Sequence, residues 1–87
     1  MILSTKPYKP KSKFLWVVGN HLRDERVKAG LTQDELSNRA KIVRSQLCDI
    51  ELGKVNLKVE TMLRITEALG INLGELMGAI MADYLLG

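Results

Sequence analysis

The sequence predicts an all-α protein built from five short helices. Apolar residues recur at helical spacing along most of the chain, capping patterns precede these segments, and glycines follow them. No alternating run of apolar and polar residues is long enough to be a strand. With 87 residues, 46% of them hydrophobic, the chain has the composition of one globular domain with a modest core.

Basic charge is concentrated near the N-terminus. Residues 1–13 contain none of the 10 Asp and Glu residues of the chain but include Lys6, Lys9, Lys11 and Lys13. Pro7 and Pro10 favour an extended backbone in this segment. We therefore expect a basic, extended N-terminal arm over residues 1–13, which either contacts phosphates or only solubilises the protein. The folded domain should occupy residues 14–87.

The first two helices are bounded by clear capping signals. An apolar stripe predicts a first helix from about Phe14 to Ala29, closed by Gly30. Thr32 and Glu35 then form a T-x-x-E capping box, in which each residue's side chain accepts a hydrogen bond from the other's backbone. The second helix should therefore begin directly after Thr32.

The remaining helices follow after short connections. The residues AKIV form a turn into a third helix that ends at Gly53. A fourth helix is predicted over about residues 59–69. Asn72 provides a cap for the fifth helix, which should run from Leu73 almost to the end of the chain.

Two helices joined by so short a turn are the pattern of a helix-turn-helix unit. Between Leu22 and Met77 the chain resembles the helix-turn-helix domain of the phage repressor and Cro-like family. The matching segments are LRDERVKAGLTQDEL, RAKI, IELGK and VETMLRITEALGINLGELM, in that order. This resemblance implies a five-helix repressor-like fold and a transcriptional regulator that binds double-stranded DNA.

The resemblance also implies that the third helix, RSQLCDIE, lies in the major groove and reads bases. Leu47 and Ile50 should form its core side, because polar residues occupy the other side. Arg44 is suited to a guanine or a phosphate, and Asp49 to the amino group of a cytosine. Cys48 either touches a thymine methyl group or is a buried structural thiol. The predicted base-reading residues are Arg44, Ser45, Cys48 and Asp49, and the alternative is a solvated helix face.

Phosphate contacts are expected outside this reading face. The resemblance places Gln33 at a helix N-terminus that holds a phosphate, although it could be an ordinary exposed glutamine. Gln46 reaches either a phosphate or solvent. Loop residues after the third helix should lie beside the sugar-phosphate backbone, where they add affinity without sequence preference. The predicted phosphate-binding residues are Gln33, Gln46, Lys54, Asn56 and Lys58.

The turn and the reading face depart from the family pattern. Lys41 stands where glycine is usual, so a positive φ there would be strained. Val43 stands where a polar cap is common, which leaves the third helix without a side-chain cap. Asp49 would be repelled by phosphates unless it finds a hydrogen-bond donor. A weak or altered DNA preference is therefore the alternative at that position.

Two charged residues are candidates for a structural ion pair. Arg26 and Glu51 match positions that, in the family, form a buried pair joining the first and third helices. The alternative is two independent surface charges. If the pair is buried, loss of either partner should be strongly destabilising.

The fifth helix is apolar over most of its circumference, so burial on two sides is expected. One side can close the domain core, and Gly74, Gly78 and Ala82 form a strip of small residues beside it. We predict a homodimer built on this helix, with a frayed C-terminus in a monomer as the alternative. The predicted interface residues are Gly74, Met77, Gly78, Ile80, Met81, Ala82, Tyr84 and Leu85.

Other functional classes are disfavoured by the residues present. The single histidine, His21, and the single cysteine, Cys48, fit no nucleophile, metal or phosphate-loop motif, so no enzyme activity, metal or cofactor is expected. No apolar run approaches the roughly 20 residues of a membrane span, and the N-terminus does not resemble a signal peptide. The prediction is a cytoplasmic regulator that binds a palindromic operator as a homodimer. The alternative is an antitoxin with a toxin partner, or another interaction module on this scaffold.

Overall fold

The computed structural model describes residues 9–87, and these form five α-helices. The helices are α1 (Lys13–Lys28), α2 (Gln33–Ala40), α3 (Arg44–Glu51), α4 (Val59–Leu69) and α5 (Leu73–Leu86). No strand occurs between residues 9 and 87. The predicted all-α class and the order of the five helices are confirmed, and their bounds agree within about two residues. Lys6 of the predicted arm lies outside the described residues.

The N-terminal boundary of the folded domain lies earlier than predicted. The side chain of Ser12 caps α1 by accepting a hydrogen bond from the backbone N–H of Leu15 (3.1 Å). The backbone N–H of Lys11 donates to the carbonyl of Gly53 (2.7 Å), and the Lys13 ammonium lies 5.4 Å from the centre of the Tyr84 ring. Residues 11–13 therefore belong to the folded domain. The prediction missed this because the serine cap sits among lysines and prolines.

The capping signals predicted for α2 and α5 are present. Thr32 accepts from the backbone N–H of Glu35 (3.1 Å), and Glu35 accepts in return from the backbone N–H of Thr32 (2.8 Å). Asn72 accepts from the backbone N–H of Glu75 (2.9 Å). These bonds satisfy donors that the first turn of each helix leaves free.

All five helices contribute to one hydrophobic core. Leu22 (α1), Leu36 (α2), Leu47 (α3), Ile65 (α4) and Ile80 (α5) are each 0% exposed. α2 packs against both α3 and α4, whereas α1 packs against α3 and α5. The short helix α3 is thus fixed between α1 and α2, and its outer side is left uncovered.

Among residues 9–87, no single helix has the length and apolar character needed to cross a membrane. α4 and α5 meet that criterion only as a pair, on length and composition alone, and their axes are bent by 110° at the junction.

Candidate nucleic-acid interface

The turn between α2 and α3 is tight and has one left-handed residue. Lys41 has φ 58° and ψ 46°, a left-handed conformation that is unfavourable for a residue with a Cβ. The backbone N–H of Ile42 donates to the carbonyl of Ser37 (3.0 Å), closing the end of α2. Val43 then begins α3 without a side-chain cap, as predicted.

The two sides of α3 differ in exposure. Leu47 and Ile50 are buried in the core, at 0% and 3% exposed. On the other side, Cys48 and Asp49 are half-buried. The polar residues of the first turn, Arg44, Ser45 and Gln46, are exposed. The structure thus brings the four predicted base-reading residues onto the uncovered part of α3.

A buried polar network holds the C-terminal end of α3. Arg26 Nε donates to Glu51 Oε2 (2.7 Å), and Arg26 Nη2 donates to Glu51 Oε1 (3.1 Å). The two side chains are only 13% and 3% exposed. Arg26 Nη1 also donates to the carbonyl of Leu31 (2.9 Å). The structure thus brings Arg26 and Glu51 together as a bidentate pair that joins α1 to α3.

Gln33 is a third member of this network. Its Nε2 donates to Glu51 Oε1 at 3.0 Å, and the side chain is half-buried. One amide N–H therefore points into the protein, and the same nitrogen carries a second N–H that can donate to another acceptor. Sequence reasoning missed the bond to Glu51. It could not be found from spacing, because it joins residues that are 18 positions apart.

Gly19 allows α1 to lie directly against the end of α3. A Cβ at this position would be 2.5 Å from the carbonyl oxygens of Ile50 and Glu51, a distance that real side chains do not adopt. Gly19 had no predicted role. The available signal was a glycine inside a helix, where it costs about 1 kcal/mol relative to alanine and so often marks a close approach.

Two cations of the interface have acidic neighbours. Arg44 Nε lies 3.4 Å from Asp34 Oδ1, and Lys54 Nζ lies 3.8 Å from Asp49 Oδ1. Asp34 belongs to the first turn of α2 and was missed by sequence reasoning, which would read it as an acid favoured by the helix dipole. The predicted base reader Asp49 thus has a cation beside it before any DNA is bound.

Three predicted phosphate ligands line one surface depression. Gln46, Asn56 and Lys58 surround it together with Arg64 of α4. Arg64 had no role in the prediction, because its position on the exposed side of a helix carries no signal of its own. Lys54 lies nearby in sequence, at the start of the same loop. The depression therefore joins the end of α3 to the first two turns of α4.

The uncovered side of α5 differs in one respect from the prediction. Ile80 is 0% exposed and belongs to the core, so its assignment to the dimer interface is wrong. Sequence spacing could not distinguish it, because nearly every side of this helix is apolar. Met77 and Tyr84 are half-buried. The outward-facing members of the predicted interface are Gly74, Gly78, Met81, Ala82 and Leu85.

The metal-binding and nucleophilic residue types are few in the part of the chain that the structure describes. Between residues 9 and 87, no group of three or more His, Cys, Asp or Glu residues is arranged to hold a metal ion. His21 Nε2 lies 2.9 Å from Asp83 Oδ2, which links α1 to α5. Cys48 is a free, half-buried cysteine on α3.

A family model and solved structures place this architecture among known proteins. A family model described as a helix-turn-helix domain matches residues 19–79. A comparison with curated proteins found no match. Among solved structures, the restriction-modification controller protein C.AhdI from Aeromonas hydrophila is 32% identical, with a TM-score of 0.70, covering 71% of this chain and 94% of that one.

Two further structures share the fold at lower identity. The wild-type controller protein C.Esp1396I is 21% identical, with a TM-score of 0.80, covering 88% of this chain and all of that one. A single-substitution mutant of C.Esp1396I bound to its highest affinity operator site has 21% identity and a TM-score of 0.78, covering 86% of this chain and 99% of that one. The chain belongs to the helix-turn-helix domain family, as a small regulator of the repressor and Cro-like type.

Proposed function

We propose that this protein is a sequence-specific transcriptional regulator that binds a palindromic operator as a homodimer, with α3 in the major groove. The observation that supports this proposal is that α3 is firmly held on one side and exposed on the other. One side of the helix is buried, its C-terminal end is held by the Arg26–Glu51 pair, and its other side exposes polar groups that the protein does not cover. A rigid helix with a free polar side suits recognition of base edges.

Each part of the surface has a chemical role in this proposal. Arg44 and Ser45, at the start of α3, reach base edges first, and Cys48 and Asp49 lie one turn further along. Lys54, Asn56 and Lys58 bind phosphates beside the end of α3, and Gln46 lines the same depression as Asn56 and Lys58. Gln33 offers its second amide N–H to a phosphate on the other side of α3. The phosphate ligands supply affinity, and the α3 residues supply sequence preference.

The homodimer is proposed to form through the outward side of α5. Met81 and Leu85 are 38% and 72% exposed there. A Cβ placed on Gly78 would have no neighbour within 4 Å, so a second backbone can approach closely. A two-fold axis at α5 would set two copies of α3 about 34 to 36 Å apart, which matches half-sites separated by one helical turn.

Relatives support operator binding without specifying the site. C.AhdI is a restriction-modification controller protein, and a mutant of C.Esp1396I has been crystallised with its operator. An operator upstream of the protein's own gene is therefore the first DNA to test. In this proposal the protein works in the compartment that holds the chromosome, which in a bacterium is the cytoplasm.

A fluorescence-anisotropy titration tests the proposal. Labelled duplexes from upstream of the gene are compared with shuffled duplexes of equal length and composition. We expect a preference for at least one upstream duplex, and Arg44→Ala should lose that preference. Arg23→Ala removes the same charge from the exposed side of α1 and should keep it. Equal affinity of the parent protein for all duplexes would contradict sequence-specific binding and favour an interaction module that uses this scaffold.

A further inference from the structure

Asp34 lies on the proposed DNA-facing surface, and the function proposed above leaves it without a role. Its Oδ1 is 3.4 Å from Arg44 Nε, and the two side chains are 73% and 64% exposed. An ion pair as exposed as this contributes little to stability. Its position beside a predicted base reader therefore points to a role in recognition.

The backbone that carries Asp34 is firmly held. The Ser37 hydroxyl donates to the Asp34 carbonyl (3.0 Å), and the capping box of Thr32 and Glu35 closes the same turn. Gln33, the preceding residue, is bonded to Glu51 at the end of α3. The backbone of Asp34 is thus fixed relative to α3.

The contact changes which groups on DNA Arg44 binds most favourably. Asp34 faces Nε, which leaves the N–H groups of both Nη atoms for two acceptors such as O6 and N7 of guanine. A phosphate approaching the same guanidinium would be repelled by the carboxylate of Asp34, whereas a guanine edge carries no net charge. The pair therefore favours base contact over phosphate contact by Arg44.

We propose that Asp34 is a positioning residue that directs Arg44 to a guanine and sets the discrimination between operator and other DNA. This inference rests on the proposed function. Replacing Asp34 by Asn keeps its shape and removes its charge, so Arg44 becomes free to bind phosphates of any sequence. Affinity for unrelated DNA should rise about 3-fold to 10-fold, and its salt dependence should steepen by up to about 0.9 in log–log slope.

The test uses the full-length protein and the preferred upstream duplex. Single guanines in that duplex are replaced in turn by 7-deazaguanine, which lacks the N7 acceptor. The parent should lose affinity at one guanine in each half-site, and Arg44→Ala should be insensitive there. Asp34→Asn should show a reduced loss at the same guanine together with tighter binding to shuffled DNA.

Two controls separate positioning from general effects. Asp24→Asn removes the same charge from the exposed side of α1 and should leave operator discrimination unchanged. In an Arg44→Ala background, Asp34→Asn should have no further effect on discrimination, because Asp34 acts through Arg44. Thermal unfolding of each variant, followed by circular dichroism, should show that all remain folded.

The results that would contradict this inference differ from those that would contradict the proposed function. Unchanged discrimination in Asp34→Asn, an equal change in Asp24→Asn, or an undiminished effect in the Arg44→Ala background would each overturn this inference while leaving the proposed function standing. A parent protein that prefers no duplex would overturn both.

Discussion

At the scale of single residues, Glu51 is a buried charged side chain at the end of α3, beside the proposed DNA-binding surface. Its side chain is 3% exposed and accepts hydrogen bonds from both Arg26 and Gln33. A carboxylate buried to this degree is tolerated only because its partners compensate for the lost hydration. Removal of one partner leaves an uncompensated charge, which costs more than the net contribution of the intact pair.

Arg26→Ala and Glu51→Ala should therefore each lower the free energy of unfolding by about 3 to 5 kcal/mol. The measurement is chemical denaturation followed by circular dichroism. Lys28→Ala is the control, because Lys28 also forms an ion pair, with Glu25 at 3.3 Å, but its side chain is 72% exposed. A loss below about 0.5 kcal/mol for the Arg26 and Glu51 variants, as expected of the control, would show that the pair is only a surface contact.

Lys41 is the strained residue of the helix-turn-helix unit. A left-handed backbone costs a residue with a Cβ about 1 to 2 kcal/mol, and glycine avoids this cost but has more freedom to lose on folding. Lys41→Gly should therefore stabilise the protein by about 0.5 to 1 kcal/mol. Arg39→Gly, two residues earlier and inside α2, should destabilise it by a similar amount. If both substitutions destabilise equally, the φ of Lys41 is not a source of strain.

At the scale of helices, α2 is defined by its N-terminal capping box. The backbone N–H of Thr32 donates to the carboxylate of Glu35, and this bond lowers the pKa of Glu35 below its ordinary value of 4.5. Because the pKa is lower in the folded state, ionised Glu35 adds stability above pH 4.5. That contribution is lost as the pH falls through the folded-state pKa.

Glu35→Gln should consequently reduce the loss of stability on acidification. Urea midpoints measured between neutral pH and about pH 3 should fall less steeply for this variant than for the parent. Glu60→Gln is the matched control, because Glu60 also lies in a first helical turn, but the cap of that helix, Lys58, forms no side-chain cap bond. Parallel curves for the parent and Glu35→Gln would refute the link between the cap and acid sensitivity.

Helices and their ends were predictable where chemistry is local. The capping box of α2, formed by Thr32 and Glu35, and the Asn72 cap of α5 each join residues that are close in sequence. The sequence therefore specifies them directly. The side of α3 that faces outward also followed from periodicity. The Gln33 bond to Glu51 and the contact of Gly19 with α3 depend on how helices cross, which no single segment encodes. For the same reason Ile80, which the structure buries in the core, was assigned to the dimer interface.

At the scale of the whole molecule, the proposed function requires two copies of the chain. α5 closes the core with Leu76 and Ile80, at 5% and 0% exposed, yet leaves Leu85 at 72% exposed on its other side. Single exposed apolar residues are ordinary, but Met81 and Leu85 adjoin a strip of small residues. A symmetric contact would cover this side and present two copies of α3 together.

Sedimentation equilibrium at micromolar concentration should therefore give the mass of a dimer. Met81→Glu places a charge in the proposed contact and should shift the equilibrium toward the monomer while the domain stays folded. Val27→Glu is the control, since Val27 is also an exposed apolar residue, at 59%, but lies on α1. A parent that sediments as a monomer, or a Met81→Glu variant as dimeric as the parent, would refute α5 as the interface.

The central claim is that paired copies of α3 read a symmetric DNA site. Selection of the purified protein's preferred sequences from randomised duplex DNA tests this claim most directly, because every possible half-site competes in the same pool. The account predicts a two-fold symmetric consensus whose half-sites are centred about 10 base pairs apart, with a guanine in each half-site that loses its enrichment in Arg44→Ala. An asymmetric consensus, or no enrichment of any sequence, would contradict it.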